Sequence, residues 1–178
     1  MIIKASDIFD VRDRKGSFPF DLKFVPKGSV EQVFKEPLVY VLRHKNTPLY
    51  VGYTFDDKKA DVRVSRWTKQ LESILCRGYR VGFNQAALIA FESSNAFTPA
   101  QKNEAKSRLK NTSVMTSVKR VNWASANWGE ISKLSPANQY LLSEFSFEIL
   151  SDPSINTLKE CQLKTKKSIQ SLNPLCNG

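Results

Sequence analysis

The chain has 178 residues, 41% of them hydrophobic and 25% charged, a composition that is typical of a folded domain and excludes a disordered chain. A net charge of +10 favours a polyanionic partner, while three cysteines and one histidine leave no ligand set for zinc. No apolar run approaches the roughly 18 residues of a membrane span, and the first residues turn polar too early for a secretory signal. We therefore expect a cytoplasmic protein without a membrane partner.

The excess positive charge lies in the middle of the chain. Residues 37–97 carry nine basic and five acidic residues, and residues 98–134 carry seven and two. The flanks are close to neutral, with seven and six over residues 1–36 and four of each over residues 135–178. This distribution predicts a basic surface patch in the central segments rather than a basic tail.

The first half of the chain reads as a polar extension, a hairpin and a helix. Residues 1–36 contain several turn-prone pairs and no long periodic run. Short runs of β-forming residues at Pro37–Leu42 and Leu49–Tyr53 flank a turn at Lys45–Pro48, and this arrangement predicts a hairpin. Apolar residues at helical spacing then predict a helix from Asp61 to about Cys76.

The second half alternates predicted strands and helices. A strand is expected at Ala86–Phe91, and a helix at about Pro99–Lys110, where Thr and Pro supply the start signal. Ser135-Pro136 opens another helix, Phe145–Leu150 forms a strand, and Thr157–Leu172 forms a last helix that an Asn-Pro pair ends. These elements predict an α/β (α+β) fold with a small, three-stranded, mixed or antiparallel sheet flanked by helices.

In this order of elements the sequence resembles the GIY-YIG nuclease family. The matching segments are the tripeptides Leu38-Val39-Tyr40 and Tyr50-Val51-Gly52, the helix with Arg63, the strand Phe145–Leu150, the helix with Glu160, and the ending Asn173-Pro174-Leu175-Cys176-Asn177. The resemblance implies an N-terminal extension over residues 1–36 and a nuclease domain over residues 37–177. That domain would contain a large insertion at about residues 78–144.

The resemblance implies metal-dependent hydrolysis of phosphodiester bonds in double-stranded DNA. Tyr40 would be the general base, Tyr50 would position the water or the phosphate, and Arg63 would hold phosphate oxygens with its guanidinium fork. Glu160 would bind Mg²⁺ or Mn²⁺, and Asn177 would support the site by hydrogen bonds. A free tyrosine titrates near pH ~10, so the role of Tyr40 requires neighbouring cations that lower its pKa.

Two glutamates are candidates for the metal ligand. Glu160 is favoured because it precedes the Asn-Pro-x-x-Asn ending, and its ordinary role would be a helical ion pair with Lys164. Glu104 is the alternative, since it follows Arg63 by 41 residues, which is nearer the family's usual separation. Its ordinary role would be an ion pair with Arg108.

DNA contacts are expected from basic residues of the central segments. They are Lys58, Lys59, Arg66, Lys69, Lys102, Lys106, Arg108, Lys119 and Arg120. Trp123 and Trp128 either stack on the nucleic acid or form a buried pair, and Trp67 is either a core residue or a stacking aromatic.

Within this resemblance, the compact size and the lack of a separate known DNA-binding module favour a sequence-specific restriction or phage-type endonuclease. Specificity would come from residues 78–144 and the N-terminal arm, and cutting both strands would call for a homodimer or higher oligomer. Two other functions stay open on the sequence. One is a non-catalytic, basic nucleic-acid-binding protein with a degenerate fold of this family, and the other is an RNA-directed or toxin nuclease.

Overall fold

The computed structural model describes residues 1–27, 37–55, 60–110, 114–150, 152 and 155–177, with residues 60–64 described by their backbone alone. The strands are β1 (Ile2–Lys4), β2 (Phe9–Asp13), β3 (Leu22–Pro26), β4 (Leu38–His44), β5 (Thr47–Thr54), β6 (Val81–Phe83), β7 (Val114–Thr116) and β8 (Phe145–Leu150). The helices are α1 (Ala5–Ile8), α2 (Ala60–Leu75), α3 (Gln85–Ser93), α4 (Pro99–Ser107), α5 (Val118–Ala126), α6 (Trp128–Ile131) and α7 (Leu158–Leu172). A 3-10 helix covers Gln139–Glu144.

Two compact units divide these elements. The first contains Met1–Phe9, Pro26–Arg66 and Tyr140–Asn177, and the second contains Asp10–Val25 and Trp67–Gln139. Each unit has its own buried residues. The four-stranded sheet lies in the first unit and the β6–β7 pair in the second, β2 and β3 pair with each other, and α2 runs from the first unit into the second. None of the described helices combines the length and the apolar composition needed to cross a membrane.

The first unit is built on a four-stranded antiparallel sheet in the order β1-β8-β4-β5. β4 lies between β5 and β8, with Tyr40 opposite Gly52 on one side and Ile149 on the other. Because its apolar residues are continuous, β4 is buried almost throughout, as expected of a central strand covered on both faces. The sheet has one strand more than predicted, because Ile2–Lys4 pairs with β8.

Helix α7 covers one face of this sheet. Its buried Cys161 packs in a cluster with Val39, Val41, Val51 and Ile155, and Ile169 and Leu172 extend that contact. The helix begins with a capping box in which the Thr157 hydroxyl accepts from the Glu160 N–H, and it ends at Asn173, whose backbone is left-handed with φ 45°. The predicted last helix is confirmed to within one residue.

The second unit packs short helices around a parallel pair of strands, β6 and β7. Its core contains five linked aromatic rings, of which Phe91 and Phe97 stack with centroids 3.7 Å apart. The other three are Phe20, Phe83 and Trp128. The guanidinium of Arg77 is buried and donates to the carbonyls of residues 131, 132 and 134, so it caps the end of α6.

One predicted strand is wrong. Residues 86–91 lie in α3, which Asn84 opens by accepting a hydrogen bond from the Ala87 N–H at 2.8 Å. Three of those six residues are alanines, and alanine favours the helix. The helix expected from Ser135 is also wrong, because only the 3-10 helix that begins at Gln139 follows it. The coarse prediction of a mixed α/β fold with an antiparallel sheet and several helices is confirmed.

Candidate active site

The hairpin of β4 and β5 brings two tyrosines together above a glycine. Tyr40 pairs with Gly52 in the register of the sheet, and the ring centroids of Tyr40 and Tyr50 are 6.2 Å apart. A Cβ atom added to Gly52 would lie 2.6 Å from Cε1 of Tyr50 and 2.8 Å from Oη of Tyr40. Gly52 therefore leaves the space that both phenols occupy.

The two tyrosines differ in exposure. Tyr40 retains only 2% of its accessible surface and also packs against Phe147, with centroids 6.1 Å apart. Tyr50 is half-buried. Of the two phenols, that of Tyr50 is the more accessible to a substrate.

Thr54 lies on the same face as the tyrosines, because side chains two residues apart in a strand point the same way. Its hydroxyl is buried and has no hydrogen-bond partner among the described residues. A buried hydroxyl in this state is unusual, but Thr54 retains 0% of its accessible surface, so a ligand can reach this hydroxyl only if neighbouring side chains move. The alternation Tyr50-x-Gly52-x-Thr54 in the sequence already indicates that Thr54 shares a face with Tyr50.

Asn177 lies at the outer edge of β5. Its carboxamide oxygen accepts from the Val51 N–H at 2.7 Å, and its amide nitrogen donates to the Val51 carbonyl at 3.0 Å. The sequence predicts that Asn177 supports the site by hydrogen bonds, and in the structure its hydrogen bonds go to the backbone of β5. Asn177 holds the backbone of β5 between Tyr50 and Gly52.

Arg63 lies within α2, in the part of that helix whose backbone alone is described. Where its guanidinium lies relative to the tyrosines stays a prediction. Lys58 and Lys59 lie outside the described residues.

Glu160 is not brought to the tyrosines. Its carboxylate accepts from the backbone N–H groups of Asn156 and Thr157, each at 2.8 Å, and these hydrogen bonds hold its pKa below the usual value. Its helix packs on the sheet face that carries Val39 and Val41. Side-chain alternation places Tyr40 on the opposite face.

Of the two ion pairs that the sequence predicts for Glu160 and Glu104, only the second forms. Lys164 pairs with Asp152 at 3.2 Å rather than with Glu160. Glu104 lies in the second unit and pairs with Arg108 at 3.1 Å, as its ordinary role predicted.

No described residues form a group of three or more histidines, cysteines or carboxylates able to hold a metal ion. Glu160 does not fit a divalent cation beside the tyrosines for a separate reason, because its carboxylate is bound in the helix cap of α7 and α7 lies on the other face of the sheet.

The predicted DNA contacts divide into bound and exposed residues. Arg108 donates to the carbonyls of Tyr79 and Val81, and Arg120 donates to Ser73 and Gln70, so both guanidinium groups stabilise the second unit internally. The other described candidates are exposed or half-buried: Arg66, Lys69, Lys102, Lys119, and Lys106, whose ammonium pairs with Glu92 at 3.0 Å.

The three tryptophans are core residues. Trp67 retains 1% of its accessible surface, and Trp123 and Trp128 retain 8% each. Of the two roles that the sequence left open for them, burial is the one confirmed, and stacking on a nucleic acid is not available to these rings.

The candidate site is thus a pair of phenols, a buried hydroxyl and a glycine on one face of an antiparallel sheet, with a carboxamide fixing the edge strand. Comparison of the chain with models of protein families, with curated proteins and with solved structures found no match.

Proposed function

We propose that this protein is a sequence-specific endonuclease that hydrolyses phosphodiester bonds in double-stranded DNA. The observation that carries the proposal is the convergence of Tyr40 and Tyr50 above Gly52, on the central strand of an antiparallel sheet and its neighbour. The resemblance to GIY-YIG nucleases implies that the two tyrosines lie on such a pair of neighbouring strands. The net charge of +10 supports a polyanionic substrate.

The chemistry follows from what these side chains can donate. A phosphodiester repels an attacking hydroxide, so a site must supply hydrogen-bond donors or cations to its oxygens. The half-buried phenol of Tyr50 is such a donor, and Arg63 is proposed to add a bidentate cation. Tyr40, as its phenolate, is proposed to take a proton from the attacking water. The bond from phosphorus to the leaving oxygen breaks as the new P–O bond forms, and the leaving oxygen takes a proton from solvent. Neither Mg²⁺ nor Mn²⁺ takes part in the proposed reaction, because the described residues do not fit the ligand set that the resemblance implies.

Cleavage of supercoiled plasmid tests the proposal, with Mg²⁺, Mn²⁺ or EDTA present. Tyr40→Phe, Tyr50→Phe and Arg63→Ala should each slow cleavage, by on the order of 100-fold or more, since each removes a group assigned to the reacting phosphate. Tyr53→Phe is the matched control, because Tyr53 lies on the same strand but packs in the cluster under α7. Glu160→Gln should cut as the wild type does, since glutamine retains a side-chain acceptor for the helix cap.

Two results would refute this assignment. Absence of nicked or linear plasmid under every cation condition would rule out the endonuclease. Activity lost in Glu160→Gln but kept in Tyr50→Phe would place the chemistry at α7. Glu104→Gln, in the second unit, tests the other carboxylate in the same assay.

A non-catalytic DNA-binding protein is the second candidate. Two observations favour it: Tyr40 is 2% exposed, and the carboxylate of Glu160 is occupied in a helix cap. It predicts retarded migration of duplex DNA in a native gel without any cleavage, and equal binding by the wild type and Tyr50→Phe.

A further inference from the structure

The outward face of α7 carries three lysines on one stripe. We define the α7 lysine face as Lys159, Leu163, Lys166, Lys167 and Gln170, all of which are exposed. At about 100° per residue, these positions lie opposite the buried residues of the same helix. The face therefore points away from the sheet.

Residues 135–178 contain four basic and four acidic residues, so their net charge of zero gives no sign of this basic face. Of the four acidic residues there, Glu148 pairs with Arg43 at 2.7 Å and Asp152 pairs with Lys164 at 3.2 Å. The carboxylate of Glu160 turns back to cap the helix.

The fourth acidic residue, Glu144, precedes β8, where its carbonyl accepts from the Lys45 N–H. Across the described parts of the chain, Lys159, Lys166 and Lys167 form no ion pair. Folding thus separates charges that cancel in the sequence.

We propose that the α7 lysine face binds the phosphate backbone of duplex DNA. Lys159 and Lys166 are separated by about 10.5 Å along the helix axis, from a rise of about 1.5 Å per residue. That separation matches about three base-pair steps of roughly 3.4 Å along one strand. Lys167 adds a third cation, and the amide of Gln170 can donate to a phosphate or sugar oxygen.

This contact lies apart from the proposed cleavage site. α7 packs against the sheet face that carries Val39 and Val41, whereas Tyr40 and Tyr50 lie on the other. The α7 lysine face therefore goes beyond the proposed function, and its contribution to binding does not depend on whether the tyrosines are catalytic.

An anionic membrane is the competing partner for a lysine-rich helix. Helices that lie on membranes insert an apolar face into the lipid. The apolar stripe of α7 is already buried against the sheet, and Leu163 is the one apolar residue of the outward face. Duplex DNA, which needs cations without an apolar anchor, fits this face better.

Binding of a fluorescently labelled 20-base-pair duplex, measured by anisotropy between 50 and 200 mM NaCl, tests the proposal. The triple variant Lys159→Gln, Lys166→Gln and Lys167→Gln is compared with the wild-type chain. Each lost phosphate contact should make the slope of log K against log salt shallower by about 0.9, so three contacts change it by about 2.7. Over this fourfold range of salt, the wild type should lose about 40-fold more affinity than the variant.

The matched control removes the same charge elsewhere. Lys4, Lys15 and Lys23 are exposed, and Lys4→Gln, Lys15→Gln and Lys23→Gln together give the same net charge as the test variant. Equal slopes for the two triple variants would overturn the proposal, because the effect would then be one of net charge alone.

Two further outcomes would also overturn it: no binding of the duplex by the wild type at 50 mM NaCl, or lysine-dependent binding only to vesicles that contain phosphatidylserine. Unchanged thermal transitions of both variants would establish that folding is intact.

Discussion

Replacement of Gly52 by alanine tests the geometry on which the candidate site depends. Ordinary carbon contacts are about 3.5–4.0 Å, whereas the new Cβ would lie 2.6 Å from Cε1 of Tyr50 and 2.9 Å from Cζ of Tyr40. Tyr40 cannot retreat easily, since it is buried between paired strands and Phe147. Overpacking of this kind costs about 1–3 kcal/mol, against a gain of about 0.5–1 kcal/mol for alanine over glycine in a strand.

The difference between these ranges is about 0–2.5 kcal/mol. Because Tyr40 cannot easily move away, we expect the upper part, a net loss of about 1–2.5 kcal/mol in the free energy of unfolding, measured by urea titration with far-ultraviolet circular dichroism. Gly129→Ala is the matched control, because no atom lies within 4 Å of its added Cβ and its site is helical. It should stabilise the protein by up to about 1 kcal/mol. Tryptophan fluorescence reports on the second unit, since all three tryptophans lie there, whereas circular dichroism reports on both units.

A double-mutant cycle identifies the cause of the loss. In Tyr50→Ala the nearest ring is gone, so Gly52→Ala should be less harmful in that background by about 0.5–2 kcal/mol. Equal effects in both backgrounds, or a Gly52→Ala variant as stable as the wild type, would show that the phenols do not converge above residue 52.

Three further predictions concern stability. Asn177→Ala removes two hydrogen bonds to the Val51 backbone and should cost about 1–3 kcal/mol, with faster hydrogen exchange at the Val51 amide measured by NMR. Burial raises the pKa of Glu72 above its usual value, so the folded state binds a proton more tightly than the unfolded state. Its contribution is fully present below the unfolded pKa and falls as pH rises through the folded pKa. Glu72→Gln should therefore gain stability relative to the wild type as the pH rises above the usual pKa of 4.5, measured in urea titrations. Arg77→Met leaves three carbonyls without their donor and should cost about 3 kcal/mol or more, measured by tryptophan fluorescence.

The elements around the candidate site were predictable because their local signals agree with the fold. The β4–β5 hairpin has runs of β-forming residues on both sides of a turn, and α7 has both a capping box and a stop signal. Alternation along β5 also contained the signal for Thr54. What could not be predicted was the use of Glu160, since a glutamate three residues after an N-cap threonine serves a helix cap as readily as a metal.

Other features escaped prediction because they depend on distant partners. β1 has three residues and pairs with β8, which lies more than 140 positions further along the chain. A short apolar run such as residues 86–91 is compatible with a strand or a helix, and here the side-chain cap from Asn84 favours the helix. The α7 lysine face could not be predicted, because a count of charges along the sequence does not show which carboxylates already form ion pairs or cap a helix.

The end of the described chain covers the outer edge of β5, to which another strand could otherwise add. Leu175 and Cys176 donate to the carbonyls of Pro48 and Leu49, and the carboxamide of Asn177 completes the ladder at Val51. An uncovered edge strand is a template for pairing with another chain. Removal of this segment from residue 174 onward should thus produce self-association that grows with concentration, measured by sedimentation.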